Sequence, residues 1–326
     1  MNPIFTPPAS ASRADAEAFE RLVGPYRAGL QAHCYRMLGS AADAEDALQE
    51  TLLRAWRGMA GFEGRSAVSS WLYRIATNVC LRMIERRPRR VLPFDAGADP
   101  VWLEPYPDIA LGPELPDARY EQRESVELAF TAALQHLPAR QRAVLLLRDV
   151  LGFSPAEIAE ALDSSPASIY SALQRARAAV EQRLPARSQQ ATLRELGDAK
   201  LRSLVDRYVR AWEDGDVAAI TAMLAADATF AMPPLPEFYA GADAIGAFLA
   251  AGPVSQPGRW RHLAITANGQ AALAVYKVAG ERALAHGIEL LELTPAGEIS
   301  AVMTFLYDVP CERFGLPRWI PATGRI

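Results

Sequence analysis

Hydroxyl, amide and guanidinium side chains recur at helical spacing between positions 165 and 177 of this chain of 326 residues. Such groups form hydrogen bonds with base edges and with phosphates, and a helix that carries them on its outer faces suits the major groove of DNA. The sequence therefore predicts contact with duplex DNA through Ser165, Ser168, Tyr170, Ser171, Gln174, Arg175 and Arg177.

Two consecutive helices are needed to present these groups, and the stretch from 153 to 183 carries a start signal for each. Ser154, Pro155 and Glu157 predict a capping box with proline at the first helical position, and a second Ser-Pro pair begins at Ser165. The apolar residues of both helices recur at a spacing that lets the helices pack together. The segment is typical of a helix-turn-helix, and the alternative is a helical hairpin that only packs.

A second cationic stretch lies between positions 65 and 90, where seven arginines accompany a single acidic residue, Glu85. Trp71, Tyr73 and Asn78 are interleaved with these arginines. A helix of this kind can hold a phosphate backbone and can stack or pair an unpaired base. The alternative is a basic face in contact with solvent alone.

The helix before this stretch is acidic on one face. Asp43, Asp46, Gln49 and Glu50 share that face. Because carboxylates repel DNA, the face predicts a basic protein partner.

Composition limits the remaining classes. The net charge of −4 argues against a protein that coats nucleic acid without specificity. The 3 cysteines lie far apart without zinc-ligand spacing, so the sequence predicts no metal, no disulfide framework and no cofactor. A signal peptide and a membrane-spanning run are both absent from the sequence pattern, so we expect a soluble cytoplasmic protein with no membrane partner.

Hydrophobic periodicity predicts a multidomain protein with two all-α helical domains, the second containing the helix-turn-helix, followed by an α+β domain. A single helix is expected at 16–37. The predicted parts are a first domain at 15–90, an acidic, proline-rich linker at 91–124, a second domain at 125–184, a polar tether at 185–190 and a third domain at 198–326.

Over about residues 16 to 184 the chain resembles a group IV, or extracytoplasmic function (ECF), sigma factor of bacterial RNA polymerase. The resemblance is carried by DAEDALQETLLRAW at 43–56, FEGRSAVSSWLYRIATN at 62–78, LPARQRAVLLLRDVLGFSPAEIAEAL at 137–162 and SALQRAR at 171–177. It implies a protein without enzymatic activity that binds core RNA polymerase and directs promoter-specific initiation of transcription.

The same resemblance implies a role for each motif. The acidic helix implies contact with the clamp helices of the largest polymerase subunit through Asp43, Asp46, Gln49, Glu50 and Leu53. The loop and helix that follow imply opening and recognition of the minus-ten element through Phe62, Arg65, Ser66, Trp71, Arg74, Asn78, Arg82 and Arg86. The helix-turn-helix implies recognition of the minus-thirty-five element, and the acidic linker implies a path through the RNA channel of the polymerase.

The recognition helix departs from the common pattern of the family. Tyr170 and Ala172 stand where a lysine and an arginine are frequent. Fewer phosphate contacts predict weak binding to the minus-thirty-five element and a shallow dependence on salt.

The third region resembles the SnoaL-like branch of the NTF2 superfamily, in which a curved sheet and helices surround a conical pocket. The resemblance is carried by LVDRYVRAWEDGDVAAITAMLAADATFAMPP at 204–234 and MTFLYD at 303–308. It implies Asp227, His262, His286 and Glu289 as acid or base candidates and Trp212, Phe230, Met232 and Tyr239 as pocket walls. A ligand sensor or a protein–protein module is favoured over catalysis.

An appended domain of this kind implies regulation of the sigma portion in place of a separate anti-sigma protein. The expected partners are core RNA polymerase, promoter DNA and a small-molecule ligand of the third domain. Two alternatives stay open. One is a helix-turn-helix repressor or activator with a ligand-binding domain, which leaves the arginine-rich and acidic helices unexplained. The other is a SnoaL-like cyclase or isomerase tethered to DNA-binding domains.

Overall fold

A computed structural model describes residues 13–61, 67–86, 103–111, 127–233, 235, 237–306 and 311–323. The chain divides into two compact units. Of the described residues, the helical unit contains those up to 86, 110–111 and 128–184, and the sheet unit contains those from 185 onwards together with 103–109 and 127. Within the described residues, no helix is both long enough and apolar enough to cross a membrane.

The helical unit has two groups of helices, each continuous in sequence. The first group is α1 (Arg13–Val23), α2 (Arg27–Leu38), α3 (Ala41–Gly58) and α4 (Val68–Glu85), and the second is α5 (Leu128–Gln135), α6 (Ala139–Leu145), α7 (Pro155–Ala161) and α8 (Pro166–Glu181). The single helix predicted at 16–37 is divided by a 3-10 turn at Gly24–Tyr26. Pro25 causes the break, because its ring removes a backbone N–H and clashes with the preceding turn.

Buried apolar residues hold the helices of each group together. In the first group α2, α3 and α4 pack against one another around Leu30, Leu48 and Leu72, all of them buried. In the second group Ile158 of α7 and Ile169 of α8 are buried, as the predicted spacing requires. The expected capping box is present and fixes where α7 begins.

Two short hydrogen bonds form that box. The Glu157 N–H donates to Ser154 Oγ over 3.2 Å, and the Ser154 N–H donates to Glu157 Oε2 over 2.8 Å. The next helix, α8, begins in the same manner, because Ser165 Oγ accepts from the Ser168 N–H. Local sequence signals therefore set where each helix of the helix-turn-helix begins.

The sheet unit combines short helices with a seven-stranded sheet. Its helices are α9 (Gln189–Leu196), α10 (Asp198–Asp214), α11 (Val217–Thr221) and α12 (Ala242–Ala251), and its strands are β1 (Leu224–Ala231), β2 (Phe238–Ala240), β3 (Trp260–Ala267), β4 (Gln270–Ala279), β5 (Arg282–Leu293), β6 (Ile299–Leu306) and β7 (Trp319–Pro321). The strand order is β2-β1-β6-β5-β4-β3, with β7 beside β5. Strands β1 and β6 are parallel, and the other neighbours are antiparallel.

Helices α10 and α12 pack against strands β3 and β1, respectively. The core between helices and sheet contains Tyr208, Ile245, Leu249, Leu273 and Leu291. The stretch expected to be a polar tether instead contains the first residues of α9, whose start is capped by the hydroxyl of Ser188. The helical and strand content confirms the predicted fold class, two all-α parts followed by an α+β domain.

Candidate nucleic-acid interface and ligand cavity

The seven residues predicted to contact duplex DNA through α8 are all exposed. Two of them have a partner inside the protein. The hydroxyl of Ser165 caps the helix, and the Arg177 guanidinium pairs with Asp149, with 2.8 Å between Nε and Oδ2. The other members of this predicted set are Ser168, Tyr170, Ser171, Gln174 and Arg175, with Tyr170 60% exposed.

The arginine-rich helix α4 contacts the helix-turn-helix. Arg74 Nη1 lies 3.3 Å from Glu160 Oε1, and Asn78 Nδ2 donates to the Ala161 carbonyl oxygen over 3.4 Å. Both partners lie at the end of α7. Two residues predicted for the minus-ten element are thus engaged with the domain predicted for the minus-thirty-five element.

The other predicted minus-ten residues divide into two sets. Arg82 and Arg86 are exposed, and Trp71 is half-buried. Phe62, Arg65 and Ser66 lie outside the described residues.

A buried arginine joins the two helix groups. The Arg142 guanidinium, on α6, donates to the carbonyl oxygens of Met37, Gln135 and Leu137 and to Gln135 Oε1. Gln135 in turn donates through Nε2 to the Arg36 carbonyl oxygen over 3.1 Å. A cation at the carboxyl ends of two helices is stabilised by their unpaired carbonyls and by their dipoles. Sequence reasoning missed Arg142, because it follows Arg140 and Gln141 in a polar stretch and resembles a surface arginine.

The acidic face of α3 is only partly presented to solvent. Asp46 and Gln49 are exposed, Leu53 is half-buried, and Glu50 pairs with Arg54 over 2.7 Å. Asp43 is 7% exposed, in the first turn of α3. The prediction that Asp43 shares an open surface with the other residues is therefore corrected, because the neighbouring structure covers the start of the helix.

A cavity of about 460 Å³ lies in the sheet unit. Six of the eight predicted pocket residues line it: Trp212, Phe230, Met232, His262, His286 and Glu289. Sequence reasoning missed other lining residues, among them Phe248, Arg259, Trp260, Lys277 and Thr304.

Two predicted pocket residues do not line the cavity. Asp227 is exposed on β1, where the pairing with β6 shifts register between Leu224 and Thr229. This irregularity breaks the alternation of inward and outward side chains, and it corrects the prediction of Asp227 as an acid or base in the pocket. Tyr239 stacks on Phe248, a residue of the cavity lining, with 4.2 Å between ring centroids.

The cavity contains two buried ionisable side chains. Glu289 Oε2 accepts a hydrogen bond from Thr304 Oγ1 over 2.7 Å, and burial raises the pKa of Glu289 to about 7. His262 packs beside Trp212, with 5.5 Å between ring centroids, and burial lowers its pKa to about 3. Among the described residues, no hydrogen bond is formed by either ring nitrogen of His262 or by Glu289 Oε1. Such buried polar atoms are costly unless a partner occupies the cavity.

Part of the predicted acidic linker is bound to the sheet unit. The Tyr106 N–H donates to Asn268 Oδ1, and the Asn268 N–H donates to the Tyr106 carbonyl oxygen, both over 2.8 Å. Close by, the Gly269 N–H donates to Asp108 Oδ1 over 2.8 Å, and Pro107 forms a bridge with Ala267. Asn268 and Gly269 form the β3–β4 turn. The segment 103–109, named here the docked linker, is therefore fixed at that turn.

Glu127, predicted to belong to the second helical domain, is also bound to the sheet unit. The carboxylate of Glu127 accepts from the backbone N–H groups of Gln189, over 3.2 Å, and Gln190, over 2.7 Å. These N–H groups belong to the first turn of α9, where a carboxylate is favoured by the helix dipole. Glu127 is 4% exposed, so this cap is shielded from water.

Family profiles match three parts of the chain. The profile "Sigma-70 region 2" matches residues 22–90 and "Sigma-70, region 4" matches residues 127–180. A "SnoaL-like domain" profile matches residues 205–312. The three matches follow the order that the sequence resemblance predicted.

Relatives extend the similarity to nearly the whole chain. The ECF RNA polymerase sigma factor SigG of Mycobacterium tuberculosis is 43% identical over 324 residues, which cover 95% of this chain and 86% of that protein. SigW of Bacillus subtilis is 31% identical over 176 residues, or 53% of this chain and 91% of that protein. The crystal structure of the M. tuberculosis ECF sigma factor SigJ aligns with a TM-score of 0.58 and 23% identity, covering 93% of this chain and 99% of that one.

Proposed function

The chain belongs to the extracytoplasmic function sigma factors of bacterial RNA polymerase, and from this premise we propose that its SnoaL-like domain controls initiation in cis by holding the linker. As a member of that family it binds core RNA polymerase and promoter DNA, directs promoter-specific initiation of transcription and is not an enzyme.

We assign residues 15–90 to polymerase binding and the minus-ten element, 125–184 to the minus-thirty-five element and 198–326 to regulation. Asp46, Gln49, Glu50 and Leu53 are the proposed contacts for the clamp helices of the largest polymerase subunit. Their support is the partly open acidic face of α3, which favours a basic protein surface over DNA.

The proposed promoter contacts lie on α4 and α8. Arg82, Arg86 and Arg175 are exposed and cationic, as phosphate contacts require. Arg74 and Asn78 contact α7, so we infer that these two side chains exchange α7 for DNA when the promoter is bound. The helical unit described here is then a closed form, and opening it is a step of initiation.

The docked linker is the observation that carries regulation in cis. Tyr106 is fully buried in the sheet unit and Leu103 is 1% exposed, so these residues are shielded from water and from any partner. The same residues cannot follow a channel of the polymerase while they are docked. The third domain and the polymerase therefore compete for the linker, and docking favours the free sigma factor.

This competition needs no separate anti-sigma protein. The cavity supplies a site through which a small molecule can shift the docking equilibrium, provided that its affinity differs between the docked and released forms. We place the protein's action in the cytoplasm, where its polymerase works.

Run-off transcription tests the proposal. The purified full-length chain should comigrate with core RNA polymerase and direct initiation from its target promoter, as a repressor does not. Removal of the residues after Arg187 should raise the yield of transcript at limiting polymerase, because the linker is released. Equal polymerase binding and equal transcription from both chains would remove the regulatory role and leave the family assignment intact.

A further inference from the structure

The cavity of the SnoaL-like domain has two chemically different ends. The buried end contains Glu289, His262 and Thr304, none of them more than 6% exposed. The open end contains Lys277, which is exposed, and Arg259 and His286, which are half-buried. The division allows the chemical class of the ligand to be derived.

The buried end lacks a hydrogen-bonding partner. His262 is neutral at physiological pH, so one ring nitrogen donates and the other accepts, and neither has a partner among the described residues. Glu289 Oε2 accepts from Thr304, whereas Glu289 Oε1 forms no hydrogen bond among the described residues. The buried hydroxyl group of Tyr208 is close enough to Glu289 to counteract part of the effect of burial on its pKa. A hydroxyl group, which donates one hydrogen bond and accepts others, suits either side chain.

The open end is positively charged. Arg259 lies over the ring of Trp260, with its guanidinium carbon 5.5 Å from the ring centroid. His286 lies against the same ring, with 5.1 Å between the centroids of His286 and Trp260, and Lys277 is paired with Trp260 in the β3–β4 register. Burial, and then the charges of Lys277 and Arg259, lower the pKa of His286. Among the described residues that line the cavity, Glu289 at the opposite end is the single acidic side chain. This end favours an anionic group.

The walls between the ends are aromatic and apolar. Trp212, Phe230, Met232, Phe248 and Trp260 lie in these walls. A volume of about 460 Å³ is within the range of pockets that bind small organic molecules. The aromatic rings in these walls favour a ligand that itself contains an aromatic ring.

We propose that this cavity binds a small aromatic monocarboxylate with a hydroxyl group at the end opposite its carboxylate. The hydroxyl group meets Glu289 and His262, the ring lies between the aromatic walls, and the carboxylate lies beside Arg259 and Lys277. The inference deepens the proposed regulation by naming the ligand class, but the binding test uses neither polymerase nor DNA. Failure to bind therefore leaves linker control standing, and failure of linker control leaves binding standing.

Matched probes test each part of this ligand on the full-length chain. The first probe is a hydroxynaphthoate, a naphthalene carboxylate with its hydroxyl group at the far end of the ring system, and a longer hydroxybiphenyl carboxylate covers a different distance between the groups. Naphthoate lacks the hydroxyl group, and naphthol lacks the carboxylate. Binding is measured by calorimetry and by probe fluorescence.

The better hydroxylated probe should bind about tenfold more tightly than its analogue without the hydroxyl group, as expected for one buried hydrogen bond. It should also bind about fivefold more tightly than the analogue without the carboxylate, since charge pairs near solvent contribute less. If neither hydroxylated probe binds, or if both bind no better than their analogues, the proposal is overturned.

Two variants connect the affinities to the residues. His262→Phe keeps an aromatic ring beside Trp212 and removes both nitrogens, so it should abolish the tenfold advantage of the hydroxyl group without affecting naphthoate. Lys277→Gln should weaken the carboxylates about threefold, whereas Lys200→Gln, an exposed control on α10, should have no effect. Thermal unfolding verifies that each variant folds. An unchanged hydroxyl advantage in folded His262→Phe contradicts the assignment of the buried end, and equal effects of the two lysine variants contradict that of the open end.

Discussion

Replacement of Asn268 by glycine should release the docked linker from the SnoaL-like domain. Asn268 lies at the β3–β4 turn with a φ of 53°, a conformation that glycine adopts without strain. The change therefore preserves the turn and deletes the side-chain oxygen that accepts from the Tyr106 N–H over 2.8 Å. The rest of the sheet unit should retain its structure.

The size of the effect follows from burial. Tyr106 and Asn268 are both fully buried, so the Tyr106 N–H loses its acceptor where water does not replace it. An unpaired buried donor costs about 1–3 kcal/mol, which corresponds to an increase of about 5-fold to 150-fold in the equilibrium constant for release of the linker. If polymerase binds only the released form, its apparent affinity rises by at most the same factor.

Native-state hydrogen exchange measures the release directly. Amides of residues 103–109 should exchange faster in Asn268→Gly by the factor above, and titration of core polymerase should show tighter binding. Ala279→Gly is the matched control, because it adds a glycine to the β4–β5 turn at an exposed position. Unchanged exchange in Asn268→Gly would refute the role of the hydrogen bond, and faster exchange with unchanged polymerase affinity would refute the competition.

Three further predictions concern the helical unit and the cavity. Arg175→Ala should weaken promoter binding and reduce its salt slope by about one unit without affecting polymerase binding. Arg177→Ala should weaken promoter binding less, because Arg177 is already paired with Asp149. Anisotropy titrations at several salt concentrations measure both effects. Arg142→Met should destabilise the helical unit by about 3–5 kcal/mol in urea titrations, since three buried carbonyl groups lose a charged donor; a loss below 1 kcal/mol would contradict the network described above. Burial raises the pKa of Glu289 to about 7, so the contribution of Glu289 to stability is full at acid pH and declines as the pH rises to about 7. Burial lowers the pKa of His262 to about 3, so the contribution of His262 to stability declines as the pH falls towards 3. Between about pH 5 and 6, the free energy of unfolding of Glu289→Gln relative to the unsubstituted protein should therefore rise with pH, and that of His262→Phe should fall, each by about 1.4 kcal/mol per pH unit. Slopes of the same sign for the two variants would contradict these environments.

Local signals explain what could be predicted from the sequence. The Ser154 and Ser165 caps set the helix-turn-helix, since each acts within three residues of its own position. The resemblance of the third region to SnoaL-like domains named His262, His286 and Glu289, and all three line the cavity. Inward positions recur every second residue in a regular strand, yet His286 lies three residues before Glu289 on β5. Both reach the cavity because the β4–β5 pairing shifts register between Val275 and Tyr276. The exposed position of Asp227 could not be predicted, because a register shift in β1 is not visible as a pattern of residue types.

Contacts between distant parts of the chain could not be predicted. The Tyr106–Asn268 pair joins positions 162 residues apart, and neither residue type signals the other. Arg142 resembled a surface arginine in sequence, yet its guanidinium lies among carbonyl groups from α2 and α5. The acidic composition of 91–124 predicted an extended linker, but composition carries no information about the apolar residues Leu103 and Tyr106 that bind the sheet unit.

Promoter-specific run-off transcription at limiting core polymerase tests regulation by the linker most directly. It compares the full-length chain, Asn268→Gly and a chain ending at Arg187 on the same template. The account predicts specific transcript from all three proteins, with higher yields from the variant and from the shortened chain than from the full-length protein. Equal yields from all three, with release of the linker confirmed by hydrogen exchange in Asn268→Gly, would contradict control of the sigma factor by its SnoaL-like domain.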